Sequence, residues 1–223
     1  TYAPLHTEKQ NGCLISIYYD DDPQSPRAWD NLGTMACWHR RYHLSDEQPR
    51  EMPPVYLARL VNDLYDDDCK AQRLYREPGD PRDDLYGISE SWFEHRWAGD
   101  GCARLLDAIS DKAVILPLYL YDHSGITMNT TGFHCPWDSG QVGYIYVTLE
   151  DLRKEYSVTR VSKNLRAKVA DYLRQEVQTY DHYLTGNCYG FVVEKDEDEV
   201  ASCWGFLGDY DGYCLAEAKA SVT

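Results

Sequence analysis

The sequence contains no long apolar segment. Its longest apolar run, 113–121, is nine residues long and has Pro117 inside it, whereas a helix needs about 20 apolar residues to span a bilayer. Residues 1–10 contain neither the basic block nor the apolar block of a signal peptide. We therefore predict no membrane partner and a cytoplasmic location.

Familiar catalytic and cofactor motifs are also missing. The chain has no HxH, HExxH or CxxC pattern for a metal, and neither GxxxxGK[ST] nor GxGxxG for a phosphate. Eight cysteines are present, but a chain of this length buries enough surface to fold without disulfides. We expect free thiols in a reducing compartment and no cofactor.

Basic charge is scarce. There are 22 Lys and Arg against 37 Asp and Glu, which gives a net charge of −15. A surface of this charge repels phosphate, which argues against direct binding of nucleic acid or anionic lipid. The chain is instead rich in aromatic residues that supply amphipathic contact area at interfaces, with 19 Tyr and 6 Trp.

Apolar spacing predicts a single α+β domain over residues 1–223, in which a mixed or antiparallel sheet packs against one long amphipathic helix and shorter helices. The long helix is predicted at about 161–184, from a stripe of apolar residues at a spacing of three to four. The other predicted helices are 52–65, 90–98, one with Asp100 as its N-cap, and a short one capped by Thr148. The predicted strands are 13–19, 34–38, 113–121, 126–131, 143–147, 189–194 and 202–207. Residues 66–84 are predicted to form a long polar loop, and Pro117 favours an edge or a bulge for its strand.

The densest group of reactive side chains lies in the segment 122–143. It contains His123, His134, Cys135 and Asp138. A thiol nucleophile needs a histidine that lowers its pKa, and a metal centre needs several such ligands to converge. These four residues define one open alternative, a small metal- or thiol-dependent hydrolase. The main prediction treats the segment as turn chemistry, with no catalytic residue and no metal.

Acidic residues form short clusters, often beside tyrosine. Fifteen charges equal about 25 Å of duplex DNA, so acids gathered on one face would resemble a nucleic acid to a basic partner. The predicted partner contacts are Asp66, Asp67, Asp68, Asp83, Asp84, Glu197, Asp198, Glu199, Asp209 and Asp211.

Four segments resemble a family of uncharacterised proteins encoded by phages and conjugative elements of bacteria. They are DNLGTM (30–35), WHRRY (38–42), LYLYDHSG (118–125) and WDSGQVGYIYV (137–147). The resemblance covers most of the chain, implies an origin on a mobile element and a place in the host cytoplasm, and carries no assigned activity. Small acidic proteins on such elements often inhibit host defence by occupying nucleic-acid channels.

The main hypothesis is therefore an anti-defence inhibitor. It would bind a host nucleic-acid-binding complex, such as a CRISPR or restriction effector, through acidic, Tyr-rich patches that mimic nucleic acid. Besides the hydrolase, a third alternative is a protein that sequesters a nucleotide signal in a pocket around Arg40, Arg41 or Arg96.

Overall fold

The computed structural model describes residues 3–75 and 100–222. The predicted α+β class is confirmed, with the strands divided between two four-stranded antiparallel sheets. The first sheet contains β1 (His6–Gln10), β2 (Cys13–Tyr19), β7 (Cys188–Lys195) and β8 (Asp198–Leu207), in that order. The second contains β3 (Thr34–Cys37), β6 (Ser139–Thr148), β4 (Ala113–Asp122) and β5 (Ile126–Asn129), in that order.

The helices of the described segments are α1 (Pro53–Tyr65), α2 (Lys70–Tyr75), α3 (Asp100–Lys112), α4 (Leu149–Glu155), α5 (Lys163–Leu184) and α6 (Leu215–Ala220). Two short turns, Pro26–Ala28 and Tyr210–Cys214, complete the set. Within these residues, no helix is long and apolar enough to cross a membrane.

Helices cover both faces of the second sheet. Its strands have apolar residues at consecutive positions, and consecutive side chains point to opposite faces of a sheet. Met35 and Ile145 point to one face and join a core with Val169 and Leu173 of α5. Ala36 and Tyr144, which are the sequence neighbours of Met35 and Ile145, point to the other face and belong to a second core. That core also contains Tyr56, Leu57 and Val61 of α1 and Leu105 and Ile109 of α3. The sheet is thus the middle layer between α5 on one side and α1 with α3 on the other.

The first sheet has a core on one face. Ile15, Phe191 and Val193 pack there with Cys214 and with Ala218 of α6. The strand β1 and the helix α6 were not predicted. A signal for β1 was present in the pair Asn11-Gly12, since both residues have positive φ (52° and 81°) and join β1 to β2 as a two-residue hairpin turn.

The long helix is confirmed as α5. It begins two residues later than the apolar stripe, because the hydroxyl of Ser162 accepts the Leu165 N–H (3.1 Å) and caps the first turn. It ends before Gly186, whose φ of +74° suits glycine. The predicted cap of α4 is also present, as Thr148 Oγ1 accepts the Asp151 N–H (3.0 Å).

Other parts of the sequence prediction need correction. Residues 66–84 do not form one loop as far as they are described, because α2 occupies Lys70–Tyr75. The prediction of a helix at 90–98 lies outside the described residues. Pro117 lies within β4 beyond the last residue that pairs with β5, one residue before a register shift at Leu118/Tyr119. The prediction of an edge or a bulge at Pro117 is thus confirmed, because β6 is the strand that pairs with this residue in the described segments and the register shift follows it directly.

Candidate functional site

The predicted acidic contacts do not form one patch. Glu197, Asp198 and Glu199 lie at the turn between β7 and β8, whereas Asp209 and Asp211 follow the far end of β8. The strand residues 200–207 separate the two groups, and this stretch corresponds to roughly 25 Å at about 3.3 Å per residue.

A third group lies at the end of α1. Asp66 is its left-handed C-cap (φ 49°), Asp67 forms an ion pair with Arg73 and accepts the Cys69 N–H (3.1 Å), and Asp68 is exposed. Hydrogen bonds from the Cys69 backbone and from Arg73 hold the pKa of Asp67 below its ordinary value. Asp67 therefore serves the connection from α1 to α2. The predicted contacts Asp83 and Asp84 lie outside the described residues.

Acids and exposed tyrosines do meet at one end of the first sheet. Tyr19 ends β2 and is 54% exposed, and its ring centroid lies 5.3 Å from that of Tyr189. Asp20 follows, and its side chain accepts the Gly205 N–H (3.0 Å). Asp209, Asp211 and Tyr213, which is 69% exposed, lie in and around the turn after β8. We call Tyr19, Asp20, Asp209, Asp211 and Tyr213 the sheet-end patch.

The reactive residues of the 122–143 segment are partly brought together. The Asp138 carboxylate oxygen Oδ2 lies 3.4 Å from His123 Nδ1 and 3.6 Å from Cys135 Sγ. His134 is exposed and, among the described residues, forms no hydrogen bond or ion pair. The carboxylate thus stands between the thiol and the imidazole.

This order differs from that of a thiol hydrolase, in which the histidine contacts the cysteine and the acid contacts the histidine. A metal centre has no better support, since no group of three or more His, Cys, Asp or Glu in residues 3–75 and 100–222 is arranged to hold an ion. The segment instead closes a turn, in which Asp122 N–H donates to the Asp138 carbonyl (2.8 Å) and Ser139 hydrogen-bonds the Cys135 carbonyl.

The basic stretch near this segment is also engaged in local contacts. Arg41 forms an ion pair with Asp122, and its guanidinium lies over the Tyr42 ring (5.4 Å). The Nδ1 atom of His39 accepts the backbone N–H groups of Arg41 and Tyr42 (3.3 and 3.2 Å). Burial lowers the pKa of His39, with Arg41 adding to this effect and Asp122 opposing it. Arg40 is exposed and Arg96 lies outside the described residues, so the nucleotide pocket around these arginines stays a prediction.

A cavity lies at the edge of the second sheet, and its lining residues belong neither to the 122–143 segment nor to the basic stretch. It has a volume of about 520 Å³ and lies between residues 30–34, the end of β6, α4 and α5. Three acids, Asp30, Asp151 and Glu155, line it together with three tyrosines, Tyr146, Tyr156 and Tyr172; no Lys or Arg is among its described lining residues. A smaller cavity of about 240 Å³, next to Trp29, shares Asp30 and Tyr172 with it. We call the two cavities the acidic groove.

A buried ion network fixes one wall of the acidic groove. Glu176 of α5 accepts the backbone N–H groups of Leu32 (2.8 Å) and Gly33 (3.2 Å) and the guanidinium of Arg27 (3.1 Å). Arg27 also forms an ion pair with Asp46, whose Oδ2 accepts the Met35 N–H (2.7 Å). Burial opposes the charge of Arg27, but the hydrogen bonds to Asp46 and Glu176 outweigh it and raise the pKa of the guanidinium.

Comparison with known proteins gives no family for this chain: no family model, curated protein or solved structure matches it. The acidic groove was not predicted, because its acids come from segments more than 100 residues apart and each looks like an ordinary surface residue.

Proposed function

We propose that this protein is an inhibitor encoded by a mobile element that binds a host nucleic-acid-binding defence complex. Its acidic, Tyr-rich surface would occupy the site where the complex grips phosphate. Lys and Arg side chains that normally hold the nucleic-acid backbone would then contact carboxylates.

The observation that carries the proposal is the state of the predicted contact acids. Every described member except Asp67 is exposed, and Asp67 is also the one member with an ion-pair partner in the described segments. Exposed carboxylates without local cations keep their charge available to a partner, and they add to a field that attracts basic surfaces.

Of the three acidic groups, the sheet-end patch fits an interface best. Asp209 and Asp211 lie in the same turn as the exposed Tyr213, and the exposed Tyr19 ends a strand at the same end of the sheet. Tyrosine anchors at the centre of a contact contribute much of the binding energy at protein interfaces, and charged groups add specificity and rate. The turn at Glu197, Asp198 and Glu199 has Val200, 54% exposed, as its apolar neighbour.

Pull-down from a host lysate identifies the partner, and competition tests the mode of binding. We expect duplex DNA or RNA to displace the partner, and we expect affinity to fall steeply between about 0.05 and about 0.5 M salt because exposed charges are screened. A partner that binds equally at both salt concentrations, or that binds its nucleic acid at the same time, would contradict nucleic-acid mimicry.

Charge variants locate the contact. The double variant Asp209→Asn/Asp211→Asn should weaken partner binding by at least roughly tenfold, as two charge-assisted contacts are lost. Asp107→Asn/Asp111→Asn is the matched control, since it removes the same charge from exposed positions of α3. Equal weakening by both variants would show that overall charge acts without a defined surface.

A further inference from the structure

The acidic groove has the size and the chemistry of a binding site for a cationic side chain. Its main cavity of about 520 Å³ falls within the range of roughly 300–1,000 Å³ that is usual for ligand sites. Its walls come from four separate elements of the fold, and the Glu176 network holds the 27–33 segment that forms one of them.

The charge of the groove is compensated only in part, since Arg27 pairs with Glu176 (3.1 Å), which lines the smaller cavity. Asp30 and Glu155 are exposed and have no ion-pair partner in the part of the chain that the structure describes. Asp151 is partly neutralised, because it lies 3.7 Å from Lys154 and hydrogen-bonds Thr148 (2.6 Å). A concave surface that carries charge of one sign concentrates the field and raises the local concentration of the opposite charge.

Tyrosines supply the second element of a cation site. Tyr146, Tyr156 and Tyr172 line the main cavity, and Trp29 lines the adjoining one. Tyr172 is 46% exposed and Trp29 is 47% exposed, so an incoming group can reach both rings. Aromatic faces attract Lys and Arg within about 6 Å of the ring centre.

The protein already uses this chemistry elsewhere. Arg59 lies over the Tyr56 ring at 4.9 Å, and Lys70 and Lys112 lie over the Tyr65 ring at 4.8 and 4.9 Å. In the groove, tyrosine rings line the same cavity as Asp30 and Glu155, and neither of these two carboxylates has an ion-pair partner among the described residues.

We infer that the acidic groove receives an arginine side chain from the phosphate-binding surface of the partner protein. Arginine is favoured over lysine because its planar guanidinium can stack on a tyrosine ring and bind a carboxylate through two N–H groups at once. The inference rests on the proposed function for the identity of the partner, and it assigns to that partner a second contact distinct from the sheet-end patch.

The test uses a fluorescent nine-residue arginine peptide as the probe, with binding followed by fluorescence anisotropy. Asp30→Asn and Glu155→Gln should each weaken binding roughly tenfold, as each removes one charge-assisted contact. Tyr172→Leu should weaken it roughly three- to fivefold through loss of the stacked ring. Asp107→Asn, the matched control, should change it by less than about twofold, because a distant exposed charge is screened.

Several outcomes would overturn the inference. These are equal weakening by Asp107→Asn and the groove variants, equal affinity for a nine-residue lysine peptide, and tighter binding of spermine than of the arginine peptide. The last result would assign the groove to a free polyamine. Unchanged thermal midpoints of the variants show that a loss of binding does not come from unfolding.

The groove and the proposed function can fail separately. If the groove variants keep full affinity for the captured partner while Asp209→Asn/Asp211→Asn loses it, the groove inference is wrong and the proposed function stands. If neither set of variants affects capture and nucleic acid does not displace the partner, the proposed function itself is wrong.

Discussion

Replacement of Glu176 by leucine is the sharpest test of how this fold is held together. The residue is 9% exposed, and its side chain joins α5 to the segment before β3 by accepting hydrogen bonds from Arg27, Leu32 and Gly33. Leucine has a similar size but accepts none of them. The change leaves two backbone N–H groups unsatisfied and leaves Arg27 with Asp46 as its remaining carboxylate.

The cost follows from these contacts. Each buried N–H without an acceptor costs about 1–3 kcal/mol, and breaking a buried ion pair from one side costs about 3–5 kcal/mol. Contacts that share one carboxylate are not additive, so we expect about 3–5 kcal/mol in total from Glu176→Leu. In a chain of this size that loss lowers the thermal midpoint by about 6–20 °C. Glu176→Gln keeps an acceptor oxygen and should cost about 1–2 kcal/mol.

Calorimetry and urea unfolding measure both variants against a surface control. Glu150→Leu is suitable, because Glu150 is exposed and pairs with Lys154 four residues along α4 (2.9 Å), an interaction worth about 0.3–0.5 kcal/mol. If Glu176→Leu costs less than about 1 kcal/mol, or no more than the control, the network does not hold the wall of the acidic groove. The reasoning from buried acceptors would then be refuted.

Three further predictions concern single side chains. Folding lowers the pKa of His39 below its ordinary value of 6.5. The free energy of unfolding should therefore fall as pH drops from 6.5 through the folded pKa, and then level off. His39→Asn should flatten this part of the pH dependence, measured by urea unfolding at a series of pH values. Gly143→Ala should destabilise the protein, measured by urea unfolding, because the added Cβ would lie 2.1 Å from the Ala36 carbonyl oxygen, and an undiminished midpoint would contradict the packing of β3 on β6. Under native conditions a thiol reagent should label Cys69 and Cys203 first and leave the five buried cysteines unreacted until denaturant is added, whereas rapid reaction of all eight would contradict the burial of these thiols.

Local signals in the sequence predicted much of the secondary structure. Strands β2 and β3, and helices α1 and α5, appear within two residues of their expected bounds, because periodic apolar residues and caps act over one or two turns. The hairpin of β1 with β2 was not predicted, although Asn11-Gly12 signals it. All five residues of β1 are polar, so the strand lacks the apolar pattern on which the prediction relied.

Local signals did not predict the contacts within the candidate site. Cys135 and His123 looked like reaction partners in sequence, yet both contact Asp138. The acids Asp209 and Glu197 belong to similar short clusters, yet lie at opposite ends of β8. Spacing along a chain does not show which oxygen a side chain meets or which end of a sheet it reaches.

Composition determines the negative charge and the abundance of tyrosine. The spacing of apolar residues, which involves only residues near one another in the chain, predicts the α+β class. The division into two sheets and the acidic groove depend on contacts between distant segments. Asp30 and Asp151 line one cavity because Glu176 holds the 27–33 segment against α5 and because β6 leads directly into α4. Such contacts form only when the chain is packed, and the packing sets which charges remain free to meet a partner.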